Sequence, residues 1–250
     1  MSGHSKWATI KRKKAANDSK RSNQYAKLLR GVEVAAREGG SGDVAANMTL
    51  ASAVEKAKSF SVPTENIERA IRRGTGADDS GARYDEISYE GYAPGGIALF
   101  VEALTDNRNR TAQEVRHAFT RNGGNLGETG STGFMFTRKG VVVVEKSVAP
   151  DEERLLEIVM DAGAEDLRDS ESSWEIVSDP AAFKQVRDAL EAGGVEVFSA
   201  EISMMPQTTI PVDGGEAKQV LNLIEALEDL DDVQSVYANF DIPEEVMASL

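Results

Sequence analysis

The chain has 250 residues, of which 40% are hydrophobic and 28% charged, an ordinary composition for a globular protein of two or three domains. It lacks cysteine, which excludes disulfides and thiolate metal sites, and it lacks the long apolar run that a membrane-spanning helix requires. Charge is unevenly distributed: ten Lys/Arg against two acids give residues 1–37 a charge of +8, so residues 38–250 carry −22 to reach the total of −14. This localised cationic segment predicts a polyanionic ligand.

Three helical patterns fill residues 1–76. Between residues 20 and 37 the apolar side chains recur at helical spacing, and two glycines then end the helix. A second helix is predicted at 44–59, and a third runs from Pro63 to Gly74. Three short helices with short links predict a small helical bundle.

The first predicted helix has a basic face. At 3.6 residues per turn, Lys20, Lys27, Arg30 and Arg37 fall within an arc of about 100° opposite the apolar stripe. Lys and Arg neutralise phosphates, and an aromatic ring among them can stack on a base. The nucleic-acid contacts predicted in this domain are His4, Lys6, Trp7, Lys11, Arg12, Lys13, Lys14, Lys20, Arg21, Lys27 and Arg30.

From residue 82 onward the pattern changes to mixed α and β. Strands are predicted at 84–92 and 97–104, followed by a helix at 112–122 with a capping box from Thr111 to Glu114. Residues 134–205 then follow the order β-α-β-β-α-β, which is typical of a ferredoxin-like domain. The elements predicted there are a strand at 141–145, a helix at 151–162, strands at 164–168 and 173–178, a helix beginning at Asp179-Pro180, and a strand from Val195 toward Ser203.

The last elements complete the middle domain. A strand at 207–212, a helix at 214–229 and a strand at 233–239 resemble the other half of the unit at 84–122. The predicted fold class is therefore α+β and multidomain, with an N-terminal helical bundle and a ferredoxin-like domain inserted in the middle α+β domain. The predicted domains are residues 1–76, residues 82–133 with 206–240, and residues 134–205.

A second cationic site is predicted around the helix that Thr111 would cap, and it consists of Arg108, Arg110, Arg116 and Arg121. Arg108 and Arg110 lie beside its N-terminus, where free N–H groups and the helix dipole favour an anion, so the pair predicts a phosphate pocket. Glycines at positions 124, 127, 130 and 133 follow without the Gly-Lys-Ser/Thr of a phosphate loop. We interpret that segment as a flexible connector.

Catalytic and metal-binding patterns are missing from the sequence. The two histidines, His4 and His117, lack metal-ligand spacing, and the carboxylates form no recognisable acid/base pair. We therefore expect no enzymatic activity, no metal and no cofactor. Residues 151–250 hold 25 acids and five bases, so this acidic half is expected to face away from nucleic acid and to be available to basic protein partners. We expect no membrane association, and we expect the protein to be cytoplasmic.

Several motifs resemble one family over essentially the whole chain. The opening Gly3-His4-Ser5-Lys6-Trp7 and the run Ile10-Lys11-Arg12-Lys13-Lys14 closely resemble the start of the YebC/PmpR family. The segments Tyr89–Gly96, Thr105–Thr111 and Gly123–Gly127 are similar to the same family.

The resemblance implies a fold and two possible roles. It implies an N-terminal helical domain and two α+β domains, the third inserted in the second. Members are usually described as probable transcriptional regulators that bind DNA. Relatives that include a mitochondrial translational activator of cytochrome c oxidase act on translation, and some help ribosomes through proline-rich stretches. For this chain three hypotheses stay open: a DNA-binding regulator, a ribosome-associated factor that binds rRNA or tRNA, and an adaptor for an acidic protein.

Overall fold

A computed structural model gives the structure of residues 18–77, 83–149, 151–170 and 172–242, with side chains from Ser22 onward. The described residues form two compact units. One contains residues 18–77, 83–132 and 218–236, and the other contains the described residues of 133–217 and 237–242. The first unit is therefore discontinuous in sequence.

The helical part of the first unit has three described helices, α1 (Asp18–Glu38), α2 (Met48–Ser59) and α3 (Thr64–Gly74). Helix α2 begins later than predicted because Asn47 caps it, accepting a hydrogen bond from the Leu50 amide at 3.0 Å. Helix α3 ends on Gly74, where a Cβ would lie 2.3 Å from the Glu33 carbonyl oxygen, so α1 and α3 approach too closely for any side chain there. The core of this part is Val32, Ala35, Ala36, Leu50, Val54, Ala57, Val62, Ile67 and Ala70.

The first unit also contains a four-stranded sheet. Its strands are β1 (Asp85–Tyr92), β2 (Ala98–Thr105), β3 (Asn125–Leu126) and β9 (Val233–Ala238), in the order β3-β1-β2-β9. Helix α4 (Arg108–Arg121) packs on β1, where a Cβ on Gly91 would lie 2.7 Å from the Phe119 ring. Helix α7 (Gly214–Glu228) lies near α4, because Leu223 and Phe119 both approach Gly124.

The second unit is built on an antiparallel sheet of β4 (Phe136–Glu145), β5 (Ala164–Ser170), β6 (Ser173–Ser178) and β7 (Ser199–Pro206), in the order β5-β6-β4-β7. The helices α5 (Glu152–Asp161) and α6 (Phe183–Ala192) pack on one face of it, since their residues Leu155, Val159, Val186 and Leu190 share a buried cluster with Val142 of β4. The last strand begins at Ser199, four residues later than predicted from Val195. The same unit also contains a short parallel pair of strands, β8 (Ile210–Pro211) and β10 (Phe240–Asp241).

The glycine-rich segment after α4 is held by a buried carboxylate, which corrects our interpretation of it as a flexible connector. Glu90 is 5% exposed and accepts hydrogen bonds from the amides of Gly130 at 2.8 Å and Thr132 at 2.6 Å. The Tyr92 hydroxyl donates to the Ser131 carbonyl at 2.9 Å. Because charge-assisted bonds to backbone N–H groups are strong when buried, Glu90 fixes this segment on β1.

Candidate nucleic-acid interface

The predicted interface begins with residues outside the described part of the chain. His4, Lys6, Trp7 and Lys11–Lys14 precede residue 18, and the side chains of Lys20 and Arg21 are not described although both residues belong to α1. For all of these the assignment to nucleic acid stays a prediction. The described candidates are Lys27, Arg30, Arg108 and Arg110.

The basic face of α1 contacts the acidic run at residues 228–232. Lys27 donates to the Glu228 carbonyl, and Asn23 donates to the Asp229 carbonyl at 3.3 Å. Arg30 donates to the carbonyl of Asp231 at 2.9 Å. The acidic run therefore lies against this face of α1, where its backbone carbonyls accept hydrogen bonds from these side chains. The expectation that the acidic half faces away from nucleic acid stays a prediction.

Arg30 lies at the centre of this contact. Its side chain is 19% exposed and forms an ion pair of 3.0 Å with Asp232, while the same nitrogen donates to the Leu104 carbonyl at 3.1 Å. Its guanidinium also lies 5.0 Å from the centroid of the Tyr84 ring, within cation–π range. The predicted phosphate contact is therefore already surrounded by protein acceptors.

Asp232 collects donors from three parts of the first unit. The residue is 2% exposed, and besides Arg30 it accepts from Arg110 at 2.6 Å. The hydroxyls of Thr105 and Thr111 lie 3.0 and 2.6 Å from the same carboxylate oxygen, Oδ2. We call Asp232, Arg30, Arg110, Thr105 and Thr111 the Asp232 clasp. It joins α1, the end of β2 and the first turn of α4 to the segment before β9.

The clasp stabilises the charged form of its carboxylate. Burial alone would raise the pKa of Asp232, but hydrogen bonds from Arg110, Thr111 and Thr105 outweigh burial and hold that pKa below its ordinary value. The same hydrogen bond to Asp232, reinforced by the attraction between the two charges, raises the pKa of Arg110. The pKa of Tyr89 is raised, first by burial of its hydroxyl and second by the negative charge of Asp232. This hydroxyl has no hydrogen-bond partner among the described residues.

The first turn of α4 differs from the predicted phosphate pocket. Helix α4 begins at Arg108 and is capped by Asn107, which accepts from the Arg110 amide at 3.2 Å, so Thr111 is not the cap. Thr111 instead lies inside the helix, and its hydroxyl donates a hydrogen bond to Asp232 in the clasp. The prediction failed because a Thr-x-x-Glu pattern also occurs within helices, and the side chain that reaches a free amide decides which residue caps.

Protein carboxylates already surround the arginines of this first turn. Arg108 donates to Asp85 at 2.8 Å, an exposed pair, and Arg110 donates to Asp106 at 2.9 Å in addition to Asp232. A phosphate at this helix end would have to displace or share these carboxylates. Arg37, the remaining cation of the predicted arc, is paired with Glu33 at 3.1 Å, and Glu33 also pairs with Arg73 at 2.9 Å.

The second half of α4 carries exposed cations of another kind. Arg116, His117 and Arg121 are exposed, and no side-chain partner for them is found among the described residues. Their helical positions place them on the side away from the buried residues Thr111, Val115, Ala118 and Phe119. Sequence reasoning grouped Arg116 and Arg121 with Arg108 and Arg110, whereas the structure separates the two pairs by their acidic neighbours.

The described residues contain neither a candidate metal site nor a candidate membrane span. No cluster of three or more His, Asp or Glu residues in that part of the chain has the arrangement of a metal site. Within those same residues, no helix is long and apolar enough to cross a bilayer.

Comparisons with known proteins agree over the whole length. Family models described as the TACO1/YebC protein N-terminal domain and the TACO1/YebC second and third domain match residues 5–77 and 84–240. A protein of Syntrophus aciditrophicus named probable transcriptional regulatory protein is 50% identical, covering 100% of this chain and 99% of its own. One of the same name from Rubrobacter xylanophilus is 54% identical with the same coverage. The crystal structure of a conserved hypothetical protein from Aquifex aeolicus matches with a TM-score of 0.80 at 44% identity, covering 92% of this chain and 94% of that one.

Proposed function

The chain belongs to the TACO1/YebC family, and from this premise we propose that it is a non-enzymatic regulator that acts by binding nucleic acid. The observation that carries the proposal is the segregation of charge, +8 in residues 1–37 against −22 in the remainder. A cationic segment of this density binds phosphate with a strong dependence on salt, whereas the acidic remainder repels phosphate. The nucleic acid therefore binds at the N-terminal end.

DNA is the first candidate target, and transcription the first candidate process. The relatives named above are called probable transcriptional regulatory proteins, which supports this assignment. The predicted contacts between His4 and Arg21, including Lys11–Lys14, would bind the DNA backbone. Lys27 and Arg30 would support them indirectly, because their bonds to residues 228–232 anchor the same helix to the rest of the first unit.

An RNA target on the ribosome is the second candidate, and one observation favours it. Asn23, Lys27 and Arg30 point toward the acidic run, so this face of α1 is not available to enter a DNA major groove. A basic segment that does not read base edges suits a shaped RNA, which is bound through its backbone and unpaired bases. The protein would then act in translation.

Two further assignments belong to the same proposal. The antiparallel order β5-β6-β4-β7, with α5 and α6 on one face, supports a ferredoxin-like domain inserted in the middle domain. The acidic half from residue 151 would recruit basic protein partners.

In-cell crosslinking with sequencing of both bound RNA and bound DNA tests the proposal and separates its two candidates. Enrichment of promoter DNA that persists with competitor rRNA supports the first candidate, and enrichment of rRNA or tRNA supports the second. A variant with alanine at positions 11–14 provides the control. If that variant retains all nucleic-acid binding in a salt titration, the charge argument is wrong.

A further inference from the structure

The outer face of α4 has a charge pattern found on no other described helix. Its residues that reach solvent include four arginines, and its single acid, Glu114, is only half-exposed. Every other α-helix among the described residues exposes at least one carboxylate, on residues Glu38, Glu55, Glu65, Glu152, Glu191 and Glu216. A cationic face without exposed acid is unexpected on a segment of the chain that is otherwise acidic.

Two of the four arginines are available to a ligand. Arg108 and Arg110 are paired with Asp85, Asp106 and Asp232. Arg116 and Arg121 are exposed, and the described residues supply no hydrogen-bond or ion-pair partner for either guanidinium. The same helix therefore contains one pair of arginines that protein carboxylates neutralise and one exposed pair without a partner among the described residues.

Helical geometry places Arg116 and Arg121 at the two edges of one exposed face of α4. At about 100° per residue they are about 140° apart around the axis, and at about 1.5 Å per residue they are about 7.5 Å apart along it. Gln113, His117 and Thr120 lie between them and are exposed. Amide, hydroxyl and guanidinium groups are those that donate to phosphate and sugar oxygens.

We infer that this outer face of α4 is a second phosphate-binding surface, which takes the sugar–phosphate backbone of a nucleic acid through Arg116 and Arg121. The inference rests on the proposed function and extends it to a residue set in the middle domain. Guanidinium groups bind phosphate bidentately, and the Gln113 amide adds a neutral donor, whereas the Thr120 hydroxyl already donates to the Arg116 carbonyl at 2.9 Å. Because these contacts go to the backbone, they add affinity without adding sequence preference.

A salt titration of binding tests the inference with the full chain. The parent protein and the double variant Arg116→Gln/Arg121→Gln are titrated against a labelled duplex DNA and a labelled RNA hairpin between about 50 and 200 mM salt. Loss of two phosphate contacts is expected to reduce the log–log salt slope by about 1.8 on the duplex. Restoring the charge with Arg116→Lys/Arg121→Lys is expected to recover most of the slope.

Controls separate this inference from net charge and from the proposed function. The variant Arg154→Gln/Lys184→Gln removes two exposed charges from the second unit and is expected to leave the slope unchanged. An equal loss of slope in that control would overturn the inference, as would an unchanged slope in Arg116→Gln/Arg121→Gln. In both cases binding by the parent would leave the proposed function standing. If the parent binds neither probe, both are wrong.

Discussion

The two ends of helix α4 carry the same residue type in opposite roles. At its N-terminal end Arg110 donates to buried Asp232 and is held with Arg30 in the clasp. At its C-terminal end Arg116 and Arg121 face solvent without a described partner. The difference teaches that the placement of carboxylates, rather than the number of cations, separates arginines that build the fold from arginines that are available to a ligand.

Removing the clasp carboxylate is expected to have the largest effect. Asp232→Ala leaves Arg30 and Arg110 without their shared partner in a partly buried site, and losing one partner of a buried ion pair costs about 3–5 kcal/mol. Urea unfolding measures this loss. Asp231→Ala is the matched control, because that neighbour is exposed and takes part through its backbone carbonyl, so a change of less than about 0.5 kcal/mol is expected. Equal losses in the two variants would contradict the clasp.

The charge of the clasp should also appear as a pH dependence of stability. The folded-state pKa of Asp232 is depressed, so its stabilisation is fully present above the unfolded value of about 3.9. This stabilisation is lost as the pH falls below the unfolded-state pKa and through the lower folded-state pKa of Asp232. In the variant Asp232→Asn this contribution is missing, so its unfolding free energy should fall less steeply with acid than that of the parent. Parallel pH profiles would show that Asp232 carries no such coupling.

A smaller effect is expected at Glu90, a buried carboxylate that accepts hydrogen bonds from backbone amides. Glu90→Gln keeps the shape but replaces a charged acceptor of the Gly130 and Thr132 amides, so we expect a loss of about 1–3 kcal/mol. Amide hydrogen exchange should rise in residues 127–132 before it rises in β1. Glu86→Gln, at an exposed position of the same strand, is the control and should change neither quantity.

The smallest effect is expected at Arg108. Its pair with Asp85 is exposed at both ends, 65% and 56%, and exposed pairs contribute about 0–1 kcal/mol. Arg108→Gln should therefore leave the midpoint of urea unfolding nearly unchanged. Arg110→Gln offers the contrast within the same turn, because its partner Asp232 is buried, and it should be clearly more destabilising. If Arg108→Gln proves the more damaging change, burial of the partner carboxylate does not explain the difference between these two arginines.

Local patterns predicted much of the fold. Apolar spacing and glycines placed α1, α3 and α7 close to their observed bounds, and β1 was expected at 84–92 and is found at Asp85–Tyr92. These elements are predictable because periodicity, caps and turn residues act over a few positions. The start of α4 was wrong because Asn107 and Thr111 are both plausible caps, and only the observed hydrogen bond chooses between them.

The candidate site was less predictable, for a physical reason. The sequence by itself determined that a basic N-terminal segment precedes an acidic chain, and that four arginines lie between residues 108 and 121. The tertiary structure alone decided which of those arginines are neutralised, because Asp232 lies 122 positions from Arg110 and 202 from Arg30. Nothing in the run Glu228–Asp232 distinguishes Asp232 from Asp231. Burial makes that distinction, and burial depends on how distant segments pack.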